Sequence, residues 1–187
     1  MDKKTKIYNA AKKLFVAQGF KKTKVPQITK RAGVAVGTFY NYYDSKDWLF
    51  MQIYLDENNQ LKEEIKNDLN MDQTPIDIIK ELMKKNYEGM INNPILREWY
   101  NPDVYRKVEK MFRENYEKGI PAHKESTLVI IKQWQKEGKI RRDIDSDMVY
   151  GIIYSIMNID MHKEEIGVEY FPKIMDYLFE FIMSGLE

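Results

Sequence analysis

The stretch that decides the fold is residues 23–50, which read TKVPQITKRAGVAVGTFYNYYDSKDWLF. Pro26 suits the first turn of a short helix, because its fixed φ is already helical and its missing amide hydrogen is not needed there. Gly33 suits the tight turn that follows, because glycine adopts positive φ without steric cost. The pattern predicts a second short helix over residues 35–42 and a third helix that begins at Lys46.

An amphipathic helix precedes this stretch and ends at Gly19. Its apolar residues recur at the spacing that places them on one helical face; they are Ile7, Ala10, Ala11, Leu14 and Phe15. Two short helices joined by a glycine turn and packed on an earlier helix form a helix-turn-helix unit. In such a unit the second short helix enters the major groove of DNA. We expect Phe39 on that helix to point inward, toward Ile28 and Leu14.

The distribution of charge agrees with a DNA-binding module at the N-terminus. Residues 1–50 contain 11 lysines and arginines against 3 acidic residues, whereas residues 51–187 contain 19 against 26. The formal net charge of +1 therefore conceals a basic first segment and an acidic remainder. A basic segment favours contact with nucleic-acid phosphates, although a solvated lysine-rich surface is the alternative that charge alone leaves open.

The remainder of the chain also reads as helix, so the predicted fold class is all-α. Helix starts are predicted at Thr74-Pro75, Asn93-Pro94 and Asn101-Pro102, and helix ends near Gly119-Ile120-Pro121 and at Gly138. The sequence contains no Asn-Gly or Asp-Gly turn and no sustained alternation of period two, the patterns typical of strands.

Two domains are predicted from this organisation. Residues 1–46 form the helix-turn-helix domain, and residues 47–187 form a helical domain for effector binding and dimerisation. Apolar residues recur at helical spacing from Trp48 to Leu69, which indicates one long helix, starting near residue 45, that connects the two domains.

The last two predicted helices, residues 148–161 and 170–183, are apolar at most positions. A helix that is apolar nearly all round needs cover on two sides. A second copy of the chain is the favoured cover, because self-complementary twofold interfaces are the commonest kind; a fully interior helix pair is the alternative. The predicted homodimer contacts are Ile152, Ile156, Ile159, Ile174, Leu178, Phe179 and Ile182.

The N-terminal stretch closely resembles the N-terminal domain of the TetR family of bacterial regulators. The resemblance is dense over residues 7–50 and is carried by Ala11, Leu14, Phe15, Gly19, Phe20, Thr23, Val25, Ile28, Ala32, Gly33, Val34, Gly37, Thr38, Phe39, Tyr40, Tyr42, Tyr43, Ser45, Lys46 and Leu49. Beyond residue 50 it is architectural: helices that form a ligand chamber, then two helices that form a dimer bundle. The resemblance implies a homodimeric transcriptional repressor that leaves its DNA operator when a small effector binds; activation is an alternative.

The resemblance also implies which residues contact DNA. They are Lys24, Gln27, Ala35, Val36, Gly37, Thr38, Tyr40, Asn41, Tyr42 and Lys46. Two depart from the family's usual pattern. Ala35 replaces a frequent serine and loses a helix cap, and Val36 stands where polar or basic side chains are common. Val36 can touch a thymine methyl group, which favours an operator with A·T-rich steps.

Aromatic residues crowd the helices of the expected ligand chamber. We predict an effector pocket for a lipophilic or flat aromatic molecule, lined by Tyr87, Trp99, Tyr105, Phe112, Tyr116, Trp134, Tyr150, Tyr154 and Met157. For each single residue, ordinary core packing is the alternative interpretation. A second alternative is a helix-turn-helix regulator whose C-terminal domain only dimerises or docks a protein partner, without an effector.

The sequence argues against an enzyme. It contains no cysteine and no glycine-rich phosphate loop, and its only histidines are His123 and His162. His162 and Glu165 lie three residues apart, but two ligands near an exposed turn make a weak metal site. No catalytic residue, cofactor or metal is therefore predicted. No apolar run approaches the ~18–20 residues of a membrane span and no hydrophobic signal core follows Met1, so a cytoplasmic protein without membrane contact is expected.

Overall fold

The computed structural model describes the backbone of residues 2–171 and 173–187. Side chains are described in these ranges except at residues 108–110, 112–123, 157, 158, 160, 161, 163, 164 and 168. Throughout the described residues the regular secondary structure is helical, which confirms the all-α fold class. The α-helices are α1 (Lys3–Lys22), α2 (Val25–Ala32), α3 (Val36–Tyr40), α4 (Lys46–Asp68), α5 (Pro75–Asn92), α6 (Pro102–Glu137), α7 (Ser146–Met161), α8 (Lys163–Ile166) and α9 (Lys173–Leu186). Short 3-10 helices cover Leu96–Tyr100 and Val168–Tyr170.

The chain divides into two compact units. The first contains Met1–Lys66 and Glu88–Glu117, and the second contains Asn67–Tyr87 and Lys118–Glu187. Each unit has its own buried apolar cluster. The boundary predicted near residue 46 divides DNA-binding from effector-binding residues, whereas these units are defined by packing. That boundary stays a prediction.

The core of the first unit fixes the helix-turn-helix. Phe50 of α4 makes an edge-to-face contact with Phe15 of α1, with ring centroids 5.1 Å apart. Phe39 of α3 is fully buried in the same cluster as Ile28 of α2, and Leu14 packs against that cluster. The inward orientation expected for Phe39 is confirmed. Apolar burial of this kind contributes roughly 25 cal/mol per Å², so these large side chains stabilise the packing of α1, α2, α3 and the start of α4.

Several local signals acted as the sequence predicted. Gly33 ends α2 with φ 67°, and Gly138 follows α6 with φ 72°. The Ser45 hydroxyl accepts from the Trp48 amide at 3.0 Å and so caps α4. The backbone leaves the helical region at Gly19, with φ 78° and ψ 169°. Each signal depends only on near neighbours in sequence, which is why it could be recognised there.

The helix end predicted near Gly119-Ile120-Pro121 is wrong. Helix α6 runs without a break from Pro102 to Glu137. A proline inside a helix removes one backbone hydrogen bond, but its effect is local. The residues on both sides of it are mostly lysine, glutamate, arginine and other good helix formers, which favour continuation. The start predicted at Asn93-Pro94 is followed only by the 3-10 helix Leu96–Tyr100.

The core of the second unit gathers apolar residues from α5, α6, α7 and α9, together with the loop before α7. Its buried members are Ile78, Ile79, Ile131, Trp134, Ile140, Val149, Tyr150, Met183 and Leu186. Helices α7 and α9 pack against each other, and they correspond to the two apolar helices predicted near the end of the chain. Across the described residues, no helix is both long and apolar enough to cross a bilayer.

Candidate nucleic-acid interface

Helix α3 separates a buried side from an exposed one. Phe39 is fully buried and packs against Tyr43, with ring centroids 5.8 Å apart. Val36, Tyr40 and Tyr42 remain exposed by 43%, 55% and 42%. Three large apolar or aromatic side chains exposed within seven residues form a patch of the kind that binds another molecule.

The three tyrosines after Phe39 do not share one role. Tyr43 is buried, and its hydroxyl donates to the backbone oxygen of Lys4 at 3.5 Å. Burial raises the pKa of Tyr43, so this hydroxyl keeps its proton. Core packing is therefore the correct interpretation for Tyr43. Tyr40 and Tyr42 instead carry exposed side chains, which leaves their hydroxyl groups accessible from solvent.

The N-terminal end of α3 is open toward solvent. Ala35 is the N-cap residue and makes no side-chain cap, the loss that its sequence position predicted. A β-carbon added at Gly37 would meet no atom within 4 Å. Packing inside the chain therefore does not require a glycine here. The space beside Gly37 is available to another molecule that approaches the backbone closely.

The start of α2 carries two further predicted contacts. Lys24 and Gln27 are exposed there. The carbonyl Oε1 of Gln27 accepts from the Lys24 amide at 2.8 Å, and Nε2 of Gln18 donates to the same oxygen at 3.2 Å. Gln18 belongs to α1 and was not among the predicted residues, since its link to Gln27 joins positions nine apart that no helical spacing relates.

The ammonium group of Lys46 is bound to backbone atoms of the chain itself. It donates to the backbone oxygens of Phe20 at 2.8 Å and Thr23 at 3.0 Å, and it lies 3.9 Å from the centroid of the Phe20 ring. Burial lowers the pKa of Lys46. The side chain thus caps the C-terminal end of α1, a role that the sequence did not reveal. The predicted phosphate contact of Lys46 would have to use the one remaining ammonium hydrogen and stays a prediction.

The end of α1 is also held by the start of α6 and the 3-10 helix before it. Glu98 Oε1 accepts from the Phe20 amide at 3.1 Å, and Glu98 Oε2 accepts from Asn101 Nδ2 at 2.9 Å. Lys21 forms an ion pair with Asp103. A hydrogen bond from Lys21 and its positive charge hold the pKa of Asp103 below its usual range. The helix-turn-helix is therefore anchored to residues far along the chain within the same unit.

A second set of polar contacts joins α1 to α4. The Tyr8 hydroxyl donates to Asp56 Oδ2 at 2.5 Å, and Lys12 forms an ion pair with Glu57. Glu57 also accepts from Asn93 Nδ2 at 2.8 Å. Burial and the bond to Asp56 raise the pKa of Tyr8 far above its ordinary value. These contacts fix the direction in which α4 leaves the helix-turn-helix.

The residues predicted for the effector pocket fall in different places. Trp99 contacts Tyr105 edge to face, with centroids 4.6 Å apart, and both lie in the core of the first unit. Trp134, Tyr150 and Tyr154 belong to the core of the second unit. Tyr87 is exposed by 37%. The side chains of Phe112, Tyr116 and Met157 lie outside the described residues. The pocket as a whole stays a prediction.

The residues predicted as dimer contacts differ in how far they are buried within the protomer. Ile156 is buried within its own unit, and Phe179 and Ile182 pack against the core of that unit. The half-buried members are Ile152, Ile159, Ile174 and Leu178. Tyr177 and Phe181 on α9, which were not among the predicted contacts, are exposed by 48% and 68% with stacked rings 6.1 Å apart. Their i, i+4 spacing was the available signal.

Comparison with known proteins agrees with this arrangement. Residues 7–53 match the family described as "Bacterial regulatory proteins, tetR family". YvdT of Bacillus subtilis (strain 168), an uncharacterized HTH-type transcriptional regulator, is 27% identical over 179 residues, which cover 86% of this chain and 89% of YvdT.

Solved structures share the fold over nearly the whole chain. FadR from Bacillus subtilis, in complex with stearoyl-CoA, is 16% identical with a TM-score of 0.58, covering 98% of this chain and 99% of FadR. SmeT, the repressor of the Stenotrophomonas maltophilia multidrug efflux pump SmeDEF, is 16% identical with a TM-score of 0.63, covering 98% of this chain and 89% of SmeT. The chain is therefore similar to the TetR family of bacterial regulatory proteins over its helix-turn-helix at residues 7–53, and its helical remainder shares the fold of the solved regulators.

Proposed function

We propose that this chain is a repressor that binds operator DNA as a homodimer and leaves it when a small lipophilic or aromatic effector binds. The observation that carries the DNA contact is the exposed surface of α3 and the turn after it, where Val36, Tyr40 and Tyr42 face solvent while Phe39 is buried. The basic first segment supports it, because phosphate contacts supply much of the affinity for DNA. Regulators of this family bind operators and dimerise.

The proposed contacts divide by chemistry. Lys24 and Gln27 contact phosphates and set the register of the helix-turn-helix on the duplex. Thr38 and Asn41 read base edges in the major groove, and Val36 touches a thymine methyl group. The two copies of α3 in a dimer would have to lie about 34–36 Å apart, one helical turn of DNA, for both half-sites to be filled together.

The proposed switch is a difference in affinity between two arrangements of the dimer. An effector that binds the wrongly spaced arrangement more tightly lowers operator affinity without touching DNA. A coupling of ~1–3 kcal/mol corresponds to ~5–150-fold, and operator DNA must weaken effector binding by the same factor. The similarity of fold to a stearoyl-CoA complex suggests that molecule as the first probe.

One observation favours the alternative of a C-terminal domain without an effector. Four of the described aromatic residues expected around the pocket are packed in the cores of two separate units, Trp99 and Tyr105 in one and Trp134 and Tyr150 in the other. Side chains used as core have less surface to offer a ligand. In the alternative, the C-terminal helices only dimerise or dock a protein partner.

Selection of DNA followed by ligand titration tests the proposal. The wild-type chain is used to enrich a randomised duplex library about three helical turns long, and its affinity for the enriched duplex and for a scrambled duplex is measured. We expect a preference of at least ~10³-fold. Asn41→Ala should reduce that preference, whereas Gln60→Ala on the exposed side of α4 should not.

The effector arm uses stearoyl-CoA and a panel of flat aromatic compounds. We expect a raised melting temperature with at least one compound and release of the enriched duplex by the same compound. Failure of the library to enrich would contradict the DNA half of the proposal. Enrichment with no compound that both stabilises the chain and releases the duplex would leave the alternative as the correct function.

A further inference from the structure

A chain of hydrogen bonds links the end of α1 to the exposed amide of Gln27. The Thr23 hydroxyl donates to the Gly19 carbonyl at 2.8 Å. Gln18 Nε2 donates to Thr23 Oγ1 at 3.2 Å and to Gln27 Oε1 at 3.2 Å. Gln27 Oε1 accepts in addition from the Lys24 amide at 2.8 Å. Thr23 is fully buried, so the chain has a fixed inner end.

The chemistry of the partners determines which way each side-chain amide faces. A backbone N–H only donates, so the Gln27 atom beside the Lys24 amide must be its oxygen. The Thr23 hydrogen is already used on Gly19, and Gln18 also contacts the Lys22 carbonyl at 3.1 Å. Gln18 therefore faces acceptors only and must present its NH₂ group to them.

This arrangement leaves the NH₂ group of Gln27 as the part directed away from the chain. Within the described residues, no protein atom accepts from Gln27 Nε2, and the side chain is exposed. Lys22 and Lys24 are exposed nearby in sequence. A fixed amide donor beside lysines suits a phosphate oxygen, because glutamine side chains are regular phosphate contacts in DNA complexes.

We infer that Gln18 is a positioning residue for DNA binding: it holds the Gln27 side chain so that Nε2 donates to a phosphate of the DNA backbone. Gln18 itself touches no DNA. A free glutamine side chain would lose rotamer entropy on contact, whereas one already held in place loses less. The inference rests on the proposed function and adds a residue that neither the family pattern nor the exposed surface indicates.

A double-mutant cycle tests it with the enriched duplex and the scrambled duplex as probes. Gln27→Ala should weaken binding to both by about tenfold, because a bond to a charged phosphate is lost irrespective of sequence. Gln18→Leu should weaken binding by a smaller factor of the same kind. In the Gln27→Ala background, Gln18→Leu should have no further effect. Gln60→Leu, which removes an exposed glutamine on α4, is the matched control and should bind as the wild type does.

Two further variants separate positioning from folding. Gln27→Glu keeps an acceptor for Lys24 and Gln18 but offers no donor, so it should bind DNA poorly at an unchanged melting temperature. Gln18→Glu cannot donate to the acceptors around it and should weaken binding at least as much as Gln18→Leu. If Gln18 had only a structural role, Gln18→Leu would reduce DNA affinity by the same factor in the wild type and in Gln27→Ala, and that result would overturn the inference. Unchanged DNA affinity of Gln18→Leu would overturn it as well. If the wild-type chain binds neither duplex, the proposed function fails as well.

Discussion

Gly33 and Gly37 stand four residues apart and have different reasons to be glycine. Gly33 has φ 67°, a conformation that residues with a β-carbon adopt at a cost. Gly37 lies inside α3 with no positive φ, and its surroundings have room for a β-carbon. The turn therefore requires the first glycine, whereas we predict that the second allows DNA to approach the backbone of α3 closely.

Alanine at each position should separate these roles. Gly33→Ala should lower the free energy of unfolding by about 1 kcal/mol, because the left-handed conformation is strained for alanine. Gly37→Ala should leave stability equal or slightly higher, since alanine is the better helix former, yet weaken binding to the enriched duplex. Urea unfolding and fluorescence anisotropy measure the two effects. Undiminished DNA binding by Gly37→Ala would contradict the close approach.

Lys24 and Lys46 form a second contrasting pair. Lys46→Met should lower the free energy of unfolding by about 1 kcal/mol, because two carbonyls at the end of α1 lose their donor. Lys24→Met should leave unfolding unchanged and reduce the slope of log affinity against log salt concentration by about 1 per protomer. A salt slope reduced by Lys46→Met at unchanged stability would show that Lys46 is chiefly a phosphate contact.

At the scale of elements, the sequence predicted what depends on neighbours. Ser45, Thr74 and Gly138 mark helix boundaries through contacts with residues a few positions away, and all three boundaries are present. Gly119 and Pro121 give the same kind of local signal, but α6 continues through them. Breaker residues lower the stability of a helix without deciding its end, which the flanking helix formers and the tertiary packing also determine.

The anchoring of α1 had no such local signal. Glu98 and Asp103 hold Phe20 and Lys21 across more than seventy positions, and nothing in either segment announces the other. The contact of Lys46 with Thr23, 23 positions away, was not predicted either, because a lysine has the same sequence signature whether it contacts a phosphate or a carbonyl. The sequence therefore indicated candidate DNA contacts, which stay predictions, but it did not indicate the contacts inside the chain that support them.

The ion pair of Lys21 with Asp103 predicts a pH effect of definite sign. The folded chain lowers the pKa of Asp103 below the ordinary 3.8, so the contribution of the pair is present above that pH and is lost as pH falls through the folded value. Lys21→Met should raise the pKa of Asp103 toward its ordinary value. A pH titration of the Asp103 carboxyl carbon, monitored by NMR, measures this change. Lys13→Met, on an exposed position of the same helix, should leave the titration of Asp103 unchanged.

At the scale of the whole molecule, residue spacing and charge predicted the helices and the helix-turn-helix. They could not distinguish aromatic residues that line a pocket from those that pack in a core. Trp134 and Tyr150 lie in a packed cluster, and Trp99 stacks on Tyr54 in another. An aromatic ring has the same sequence signature whether a ligand or a leucine covers it. The same difficulty affects the predicted dimer contacts, because Ile156, which is among them, is buried in the protomer, whereas Phe181, which is not, is exposed.

The exposed rings on α9 allow a sharper test of the proposed dimer. Phe181→Glu places a charge on a side chain that is 68% exposed, so the protomer should fold normally, yet the dimer should dissociate. Val129→Glu changes a side chain that is 66% exposed on α6 and should leave the dimer intact. Light scattering at micromolar concentration distinguishes the two. A dimeric Phe181→Glu, or a wild-type monomer, would rule out this surface.

The contacts of Glu98 and Asp103 with the end of α1 have a consequence for domain transplantation. A hybrid regulator that joins residues 1–50 of this chain to the ligand-binding part of a relative would carry the DNA-reading residues but leave Phe20 and Lys21 without their acceptors. Such a graft should unfold at a lower temperature than the parent. Restoring a glutamate and an aspartate at the positions equivalent to 98 and 103 should recover the loss. We therefore expect that this helix-turn-helix can be transferred without loss of stability only together with the segment 98–103 that supports it.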